Sequence, residues 1–357
     1  MAVNANLHKA KTEKNDEFYT QLTDVAEELR HYKEHFRDKI VFCNCDDPTY
    51  SAFWKYFHLN FEKLGLNKLV STHYDKVEHT YKMEYEGGDD NNIEAGMKTA
   101  LEGNGDFRNQ ECLDLLDECD IVVTNPPFSL FREYVKTLME HGKKFLIIGN
   151  MNATSYKEIF PLIKNNLMWY GASIHSGDRE FGIPSDYKAV SKSYRVDEYG
   201  NHYVRVNGVR WFTNLDYPQR HERLVLWKKY TSEDYPKYDN YDAINVNKTS
   251  DIPIDYDGVM GVPISFLDKY CPEQFEIIGL LQSSTDEQAG IPNLRYYNDF
   301  KEMRQDMSYT GSSGGKANGN PVIREKPSKG NFLYNPVTGE YVHSVYARIV
   351  IRKKAGA

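Results

Sequence analysis

The chain has 357 residues, 40% of them hydrophobic, enough for one large α/β domain with a smaller unit beside it. No stretch approaches the ~20 apolar residues of a membrane span, and Met1 to Lys9 lacks the apolar core of a signal peptide, so a soluble cytoplasmic protein is expected. A net charge of −8 argues against a uniformly basic nucleic-acid binder. Cations nonetheless gather at Arg210, Arg220, Arg223, Lys228 and Lys229, and again at Arg348, Arg352, Lys353 and Lys354.

Residues 1–21 are polar and end in Phe18-Tyr19-Thr20-Gln21. Leu22, Val25, Leu29, Tyr32 and Phe36 have helical spacing and predict one helix over 22–37, with Thr20 or Thr23 as its cap. Lys39 to Cys43 reads as a buried strand that stops at an acidic turn, Asn44-Cys45-Asp46-Asp47-Pro48. A helix from about Ser51 follows, then a strand over 66–72 that ends near Asp75. A turn or hairpin stands at 87–92 and another turn at 103–107, the second setting Asp106 beside Phe107. A short helix from Cys112 to Leu116, a strand over 120–124, a helix from Leu130 to Glu140 and a strand over 144–150 come next. This alternation predicts βαβ units in a largely parallel, doubly wound sheet.

Beyond residue 165 the predicted strands are shorter and rich in aromatics: Leu167 to Tyr170, Tyr203 to Trp211 and Arg223 to Trp227. Residues 231–257 read as loop, and a strand returns over 275–280. Gly311 to Asn320 reads as a flexible loop by composition, and Val345 to Arg352 alternates like a strand. The five cysteines, Cys43, Cys45, Cys112, Cys119 and Cys271, have neither zinc-ribbon nor redox-pair spacing. They read as buried free thiols, and no metal site is expected.

Asn125-Pro126-Pro127-Phe128 carries the most chemistry. It follows the apolar run 120–124, at the C-terminal end of a strand, where open α/β sheets bind ligands. Asn125 offers a side-chain oxygen, the prolines a rigid carbonyl and Phe128 a ring, a set suited to holding a flat amino-bearing base. A turn of this composition can also be no more than a stiff loop, since proline fixes φ and removes a donor.

In chain order stand Phe18-Tyr19-Thr20, the acidic turn, Asp106-Phe107 and Asn125-Pro126-Pro127-Phe128. In this the chain resembles S-adenosylmethionine-dependent DNA amino-methyltransferases, and among them the EcoRI-type adenine modification methylases. That likeness runs over nearly the whole chain, including Trp211-Phe212-Thr213-Asn214-Leu215 and Gly261 to Tyr270. It implies a doubly wound, Rossmann-like methyltransferase sheet, with a catalytic domain over 1–230. Residues 231–357 would form a C-terminal target-recognition region that ends in the basic strand.

The implied reaction is transfer of a methyl group from S-adenosyl-L-methionine to N6 of an adenine flipped out of double-stranded DNA. Phe18, Tyr19, Thr20, Asp46, Asp47, Asp106 and Phe107 would bind the cofactor. Asp75 is the nearest candidate for its ribose. Asn125 and Pro126 would hold the amino hydrogens and Phe128 would stack on the base, with Trp211 and Phe212 as the opposite wall. The acidic turn departs from the glycine-rich loop of the wider family. Cytosine N4, or an amino group of RNA or protein, would suit the same turn. The likeness also leaves room for a cognate restriction endonuclease acting separately.

Overall fold

The computed structural model describes residues 20–74, 80–173, 178–183, 194–282 and 288–356. The chain divides into two compact units, one of residues 1–159 with 168–217, the other of 160–167 with 218–357.

In the first unit the strands are Ile40–Cys43 (β1), Lys68–Thr72 (β2), Tyr81–Tyr85 (β3), Met97–Ala100 (β4), Ile121–Thr124 (β5), Lys144–Asn150 (β6), Trp169–Tyr170 (β7), Asp178–Ile183 (β8), Arg195–Val196 (β9), His202–Asn207 (β10) and Val209–Thr213 (β11). Eight of them form one mixed sheet in the order β4-β3-β2-β1-β5-β6-β11-β7. Its centre, β2-β1-β5-β6, is parallel. The register sets Val41 opposite both Leu69 and Ile121, so the C-terminal ends of β2, β1 and β5 share one edge.

The sheet is less parallel than the sequence predicts. β3 adds antiparallel to β2 and β4 antiparallel to β3, and β11 inserts antiparallel between β6 and β7. Only eight residues separate β2 from β3, too few for the crossover a parallel neighbour needs, so the next strand returns antiparallel.

Among the described residues the α-helices of this unit are Leu22–Leu29 (α1), Ala52–Leu59 (α2), Phe61–Leu64 (α3), Gln110–Glu118 (α4) and Phe131–Glu140 (α5). The predicted helix over 22–37 is thus shorter, with a separate 3₁₀ turn at Lys33–His35. Neither Thr20 nor Thr23 caps it; Gln21 holds that position without a side-chain bond. Phe53, Trp54 and Phe57 of α2 pack with Val41, Leu69, Val123, Leu146 and Trp211 into a continuous core. Each such buried side chain contributes ~1.5–3 kcal/mol.

The second unit contains helix Phe160–Lys164 (α6) and strands Ile244–Asn245 (β12), Met260–Pro263 (β13), Phe275–Leu281 (β14), Lys301–Met303 (β15), Tyr309–Ser313 (β16), Val322–Ile323 (β17), Phe332–Tyr334 (β18), Tyr341–Ser344 (β19) and Arg348–Lys353 (β20). They build a four-stranded sheet, β12-β13-β20-β14, and a five-stranded one, β16-β15-β18-β19-β17. The C-terminal strand is therefore central to its sheet. Its Arg348 is buried, donating to Asn245 Oδ1 at 3.3 Å.

Residues 311–320, expected to be a flexible loop, are the end of β16 and a 3₁₀ turn at Gly314–Ala317. Glycine is there for close packing. A Cβ on Gly314 would lie 2.2 Å from the Tyr297 carbonyl oxygen. Residues 223–227, expected to be a strand, are extended but join no sheet.

Four cysteines are buried and Cys45 is half-buried; all five are free thiols. Among the described residues no helix is long and apolar enough to cross a membrane, and no cluster of metal-ligating side chains occurs.

Candidate active site

Three turns meet at the C-terminal edge of β2, β1 and β5. The turn after β1 is tied to both neighbours. Thr124 Oγ1 donates to Asn44 O at 2.7 Å, Thr72 Oγ1 donates to Asn44 Oδ1 at 3.0 Å, and the Asp46 N–H donates to Thr72 O at 3.0 Å. Cys45 takes a left-handed φ of 57°, the conformation that glycine adopts at least cost. This turn holds no glycine, and Cys45 takes the left-handed conformation in its place. Burial pushes the Cys45 thiol well above its ordinary value, so it stays protonated.

Asp46 and Asp47 face different partners. Ser51 caps α2 by accepting from the Trp54 N–H at 2.9 Å, and its hydroxyl donates to the Asp46 carboxylate. Burial pushes the Asp46 carboxyl up to about 7, against that hydrogen bond, with Asp47 adding to the rise. Asp47 accepts from Tyr81 OH at 2.8 Å and lies 3.6 Å from His73 Nε2. It lines a cavity of about 550 Å³ together with Tyr50, His73, Tyr81 and Lys98. That volume is within the range of small-molecule and cofactor sites.

The Asp106 loop is held against the end of β2. A Cβ on Gly105 would lie 2.1 Å from His73 O, and Gly105 has a φ of 73°, so glycine is required there. Asp106 closes an Asx turn by accepting from the Arg108 N–H at 3.0 Å. The Arg108 guanidinium also grips both carboxylate oxygens, at 2.8 and 2.5 Å. Burial would raise this carboxyl, but Arg108 outweighs it and holds Asp106 below its ordinary value. Phe107 is buried, edge-on to Tyr134 at 4.9 Å.

The Asn125 turn leaves β5 beside these two. Pro127 O accepts from the Leu130 N–H at 2.9 Å and so starts the 3₁₀ turn Phe128–Leu130. The Pro126 carbonyl has no donor among the described residues. The Asn125 Oδ1 atom is buried. Phe128 is half-buried, with Phe181 of β8 edge-on behind it at 6.4 Å.

The structure thus brings Asp46, Asp47, Asp106, Phe107, Asn125, Pro126 and Phe128 to one edge. Thr20, just before α1, is buried and its hydroxyl has no partner among the described residues. Phe18, Tyr19 and Asp75 lie outside the described residues. Trp211 and Phe212 are core residues of β11: Trp211 packs edge-on to Phe53 at 5.9 Å, and Phe212 against Phe131 at 5.0 Å and Tyr170 at 5.2 Å.

The description "adenine-specific methyltransferase EcoRI" matches residues 6–354. The chain belongs to this family. It is 50% identical to the Type II methyltransferase M.EcoRI of Escherichia coli over 81% of this chain and 93% of that one. It is 41% identical to M.MpnI of Mycoplasma pneumoniae over 77% and 85%, and 38% identical to M.MgeORF184P of Mycoplasma genitalium over 77% and 86%. No solved structure matches the chain. As a member of the EcoRI methylase family it is an adenine-specific DNA methyltransferase.

In this EcoRI-family site several residues escape a sequence reading. The sequence starts a helix at about Ser51 but does not show Ser51 as its cap or as the group that holds Asp46. Arg108, two residues from Asp106, carries the signal of an Asx turn without showing its bidentate grip. His73, Tyr81, Lys98 and Phe181 have no local signal at all; strand pairing and packing bring them in.

Proposed function

We infer that this methyltransferase uses S-adenosyl-L-methionine to methylate N6 of an adenine flipped out of double-stranded DNA, and that it does so in the cytoplasm. The observation that carries the reading is the meeting of the Asn125 turn with the Asp46–Asp47 turn and the Asp106 loop at one strand edge. Strand order supports a Rossmann-like methyltransferase sheet, with one antiparallel strand inserted beside β6. The first unit would be catalytic and the second would recognise the target. A separately acting restriction endonuclease would complete a modification pair.

S-adenosylmethionine would supply an electrophilic methyl group on a sulfonium. The residues present fit it: a cavity of about 550 Å³ is lined by Asp47, with Asp46 its neighbour in the turn, and a carboxylate suits a methionine ammonium group. Asp106 and Phe107 would receive the adenine end, the former in exchange for part of its hold on Arg108.

Adenine's amino nitrogen is a weak nucleophile because its lone pair is delocalised into the ring. Asn125 Oδ1 and Pro126 O would each accept one amino hydrogen, which favours a tetrahedral nitrogen with its lone pair aimed at the methyl group. The prolines hold these acceptors in place before the base arrives, so catalysis is positioning and electrostatics. Phe128, backed by Phe181, would stack on the base.

The test is transfer of labelled methyl to unmethylated genomic DNA, followed by base analysis of the product. N6-methyladenine is expected, and label in N4-methylcytosine would refute the reading. Asn125→Ala should lower transfer at least ~100-fold while cofactor affinity stays within a few fold. An equal loss of both would make Asn125 structural.

A further inference from the structure

Of the basic cluster Arg210, Arg220, Arg223, Lys228 and Lys229, burial leaves little free charge. Arg210 and Arg220 are buried, and Lys228 pairs with Asp251 at 3.0 Å. Arg223 and Lys229 are exposed and have no carboxylate partner among the described residues. They lie on the extended segment that joins no sheet, and exposure alternates along it. Leu224, Leu226, Lys228 and Tyr230 turn inward; Arg223, Val225, Trp227 and Lys229 turn out, with Val225 88% and Trp227 67% exposed.

The inner edge is anchored within the second unit. Gln274 clamps Leu224 through both its backbone groups at 2.7 and 2.9 Å, Lys228 O accepts from the Ile254 N–H at 2.8 Å, and the Tyr230 N–H reaches Asp255 at 2.8 Å. The N–H groups of Val225, Trp227 and Lys229 have no acceptor among the described residues. A bare strand edge with two cations and an exposed indole is a feature that folded proteins usually cover.

We propose that Arg223 to Lys229 forms a strap that lies along the backbone of the duplex DNA, deepening the function proposed above and resting on it. Arg223 and Lys229 take phosphate oxygens, the free N–H groups donate to phosphates between them, and Val225 and Trp227 pack on deoxyribose faces. Charge selects this occupant. On a chain of net charge −8 the outward face of the strap carries only cations and apolar groups. Trp227, Lys228 and Lys229 also line a cavity of about 430 Å³ with Asp234 and Asp251, where Lys228 is already paired with Asp251. The six residue steps from Arg223 to Lys229 span ~20 Å when extended, the rise of about six base pairs.

The test uses the full chain and a short fluorescein-labelled duplex, with affinity measured from about 50 to about 200 mM salt. The double variant Arg223→Gln, Lys229→Gln should reduce the slope of log K against log salt by ~1.8, two phosphates' worth, with melting temperature and cofactor affinity unchanged. Trp54 and Trp211 are buried and Trp169 is half-buried, so Trp227 is the tryptophan that DNA would reach. Duplex should quench its fluorescence, and Trp227→Phe should abolish that quenching. A slope unchanged in the double variant, or quenching retained without Trp227, would overturn the strap alone. Failure of the wild-type protein to bind duplex at all would overturn the proposed function with it.

Discussion

Replacing Asp46 by Asn separates a cofactor carboxylate from a structural acid. Burial holds the Asp46 carboxyl at about 7, so it is largely neutral at pH 6 and largely charged at pH 8. A cationic amino group gains from the charged form only. The charged fraction rises from about one in eleven to about ten in eleven over that range, and apparent affinity scales with the competent fraction. Wild-type affinity for S-adenosylmethionine should therefore rise about tenfold between pH 6 and pH 8. Asp46→Asn accepts from Ser51 equally well but never carries charge. It should bind ~10–100-fold more weakly at pH 8, the worth of a charged hydrogen bond, and should lose the tenfold rise. Calorimetric titration at several pH values reads both effects. The ligand's own ionisation is common to both proteins, so their ratio isolates Asp46. A ratio that stays constant with pH, or equal affinities at pH 8, would show that Asp46 does not touch the cofactor.

Two further outcomes test the frame around the site. Gly171→Ala would place a Cβ 2.2 Å from Glu28 Oε1 and 2.5 Å from the Trp211 Cβ. Buried Glu28 holds the Ala172 and Ser173 N–H groups at 2.7 Å each, so the variant should lose at least ~2 kcal/mol in denaturant unfolding; a loss under ~0.5 kcal/mol would refute the packing argument. Trp211→Ala should cost ~3–5 kcal/mol of stability, because Trp211 is 1% exposed in the core. If it instead left the melting temperature intact and raised only the KM for DNA, Trp211 would belong to the base pocket after all.

The Asn125 turn was readable because its parts are covalent neighbours. Asn125 to Phe128 needs only a strand before it and a helix after it, and both have strong local periodicity. The acidic turn was readable for the same reason, and Cys45 shows how backbone geometry can persist without glycine. The sheet was less legible. The turn at 87–92 does lie between two antiparallel strands, β3 and β4, but the strands themselves carry too little local pattern to be read. The reading of Gly311 to Asn320 as a flexible loop failed because Gly314 serves close packing and part of the run joins β16.

Sequence alone determined the family, the reaction and the order of the turns along the chain. These depend on residue types a few positions apart, which the backbone holds together whatever the fold. Tertiary structure decided who meets whom. It set Ser51 on Asp46, Arg108 on Asp106 and Phe181 behind Phe128, and it put Asp47, His73 and Tyr81 around one cavity. It also placed Trp211 and Phe212 in the core and reduced a five-residue basic cluster to two free cations. The physical reason is burial. Whether an aromatic stacks on a base or a cation meets a phosphate depends on which side chains have already been covered, and strand register across the sheet settles that.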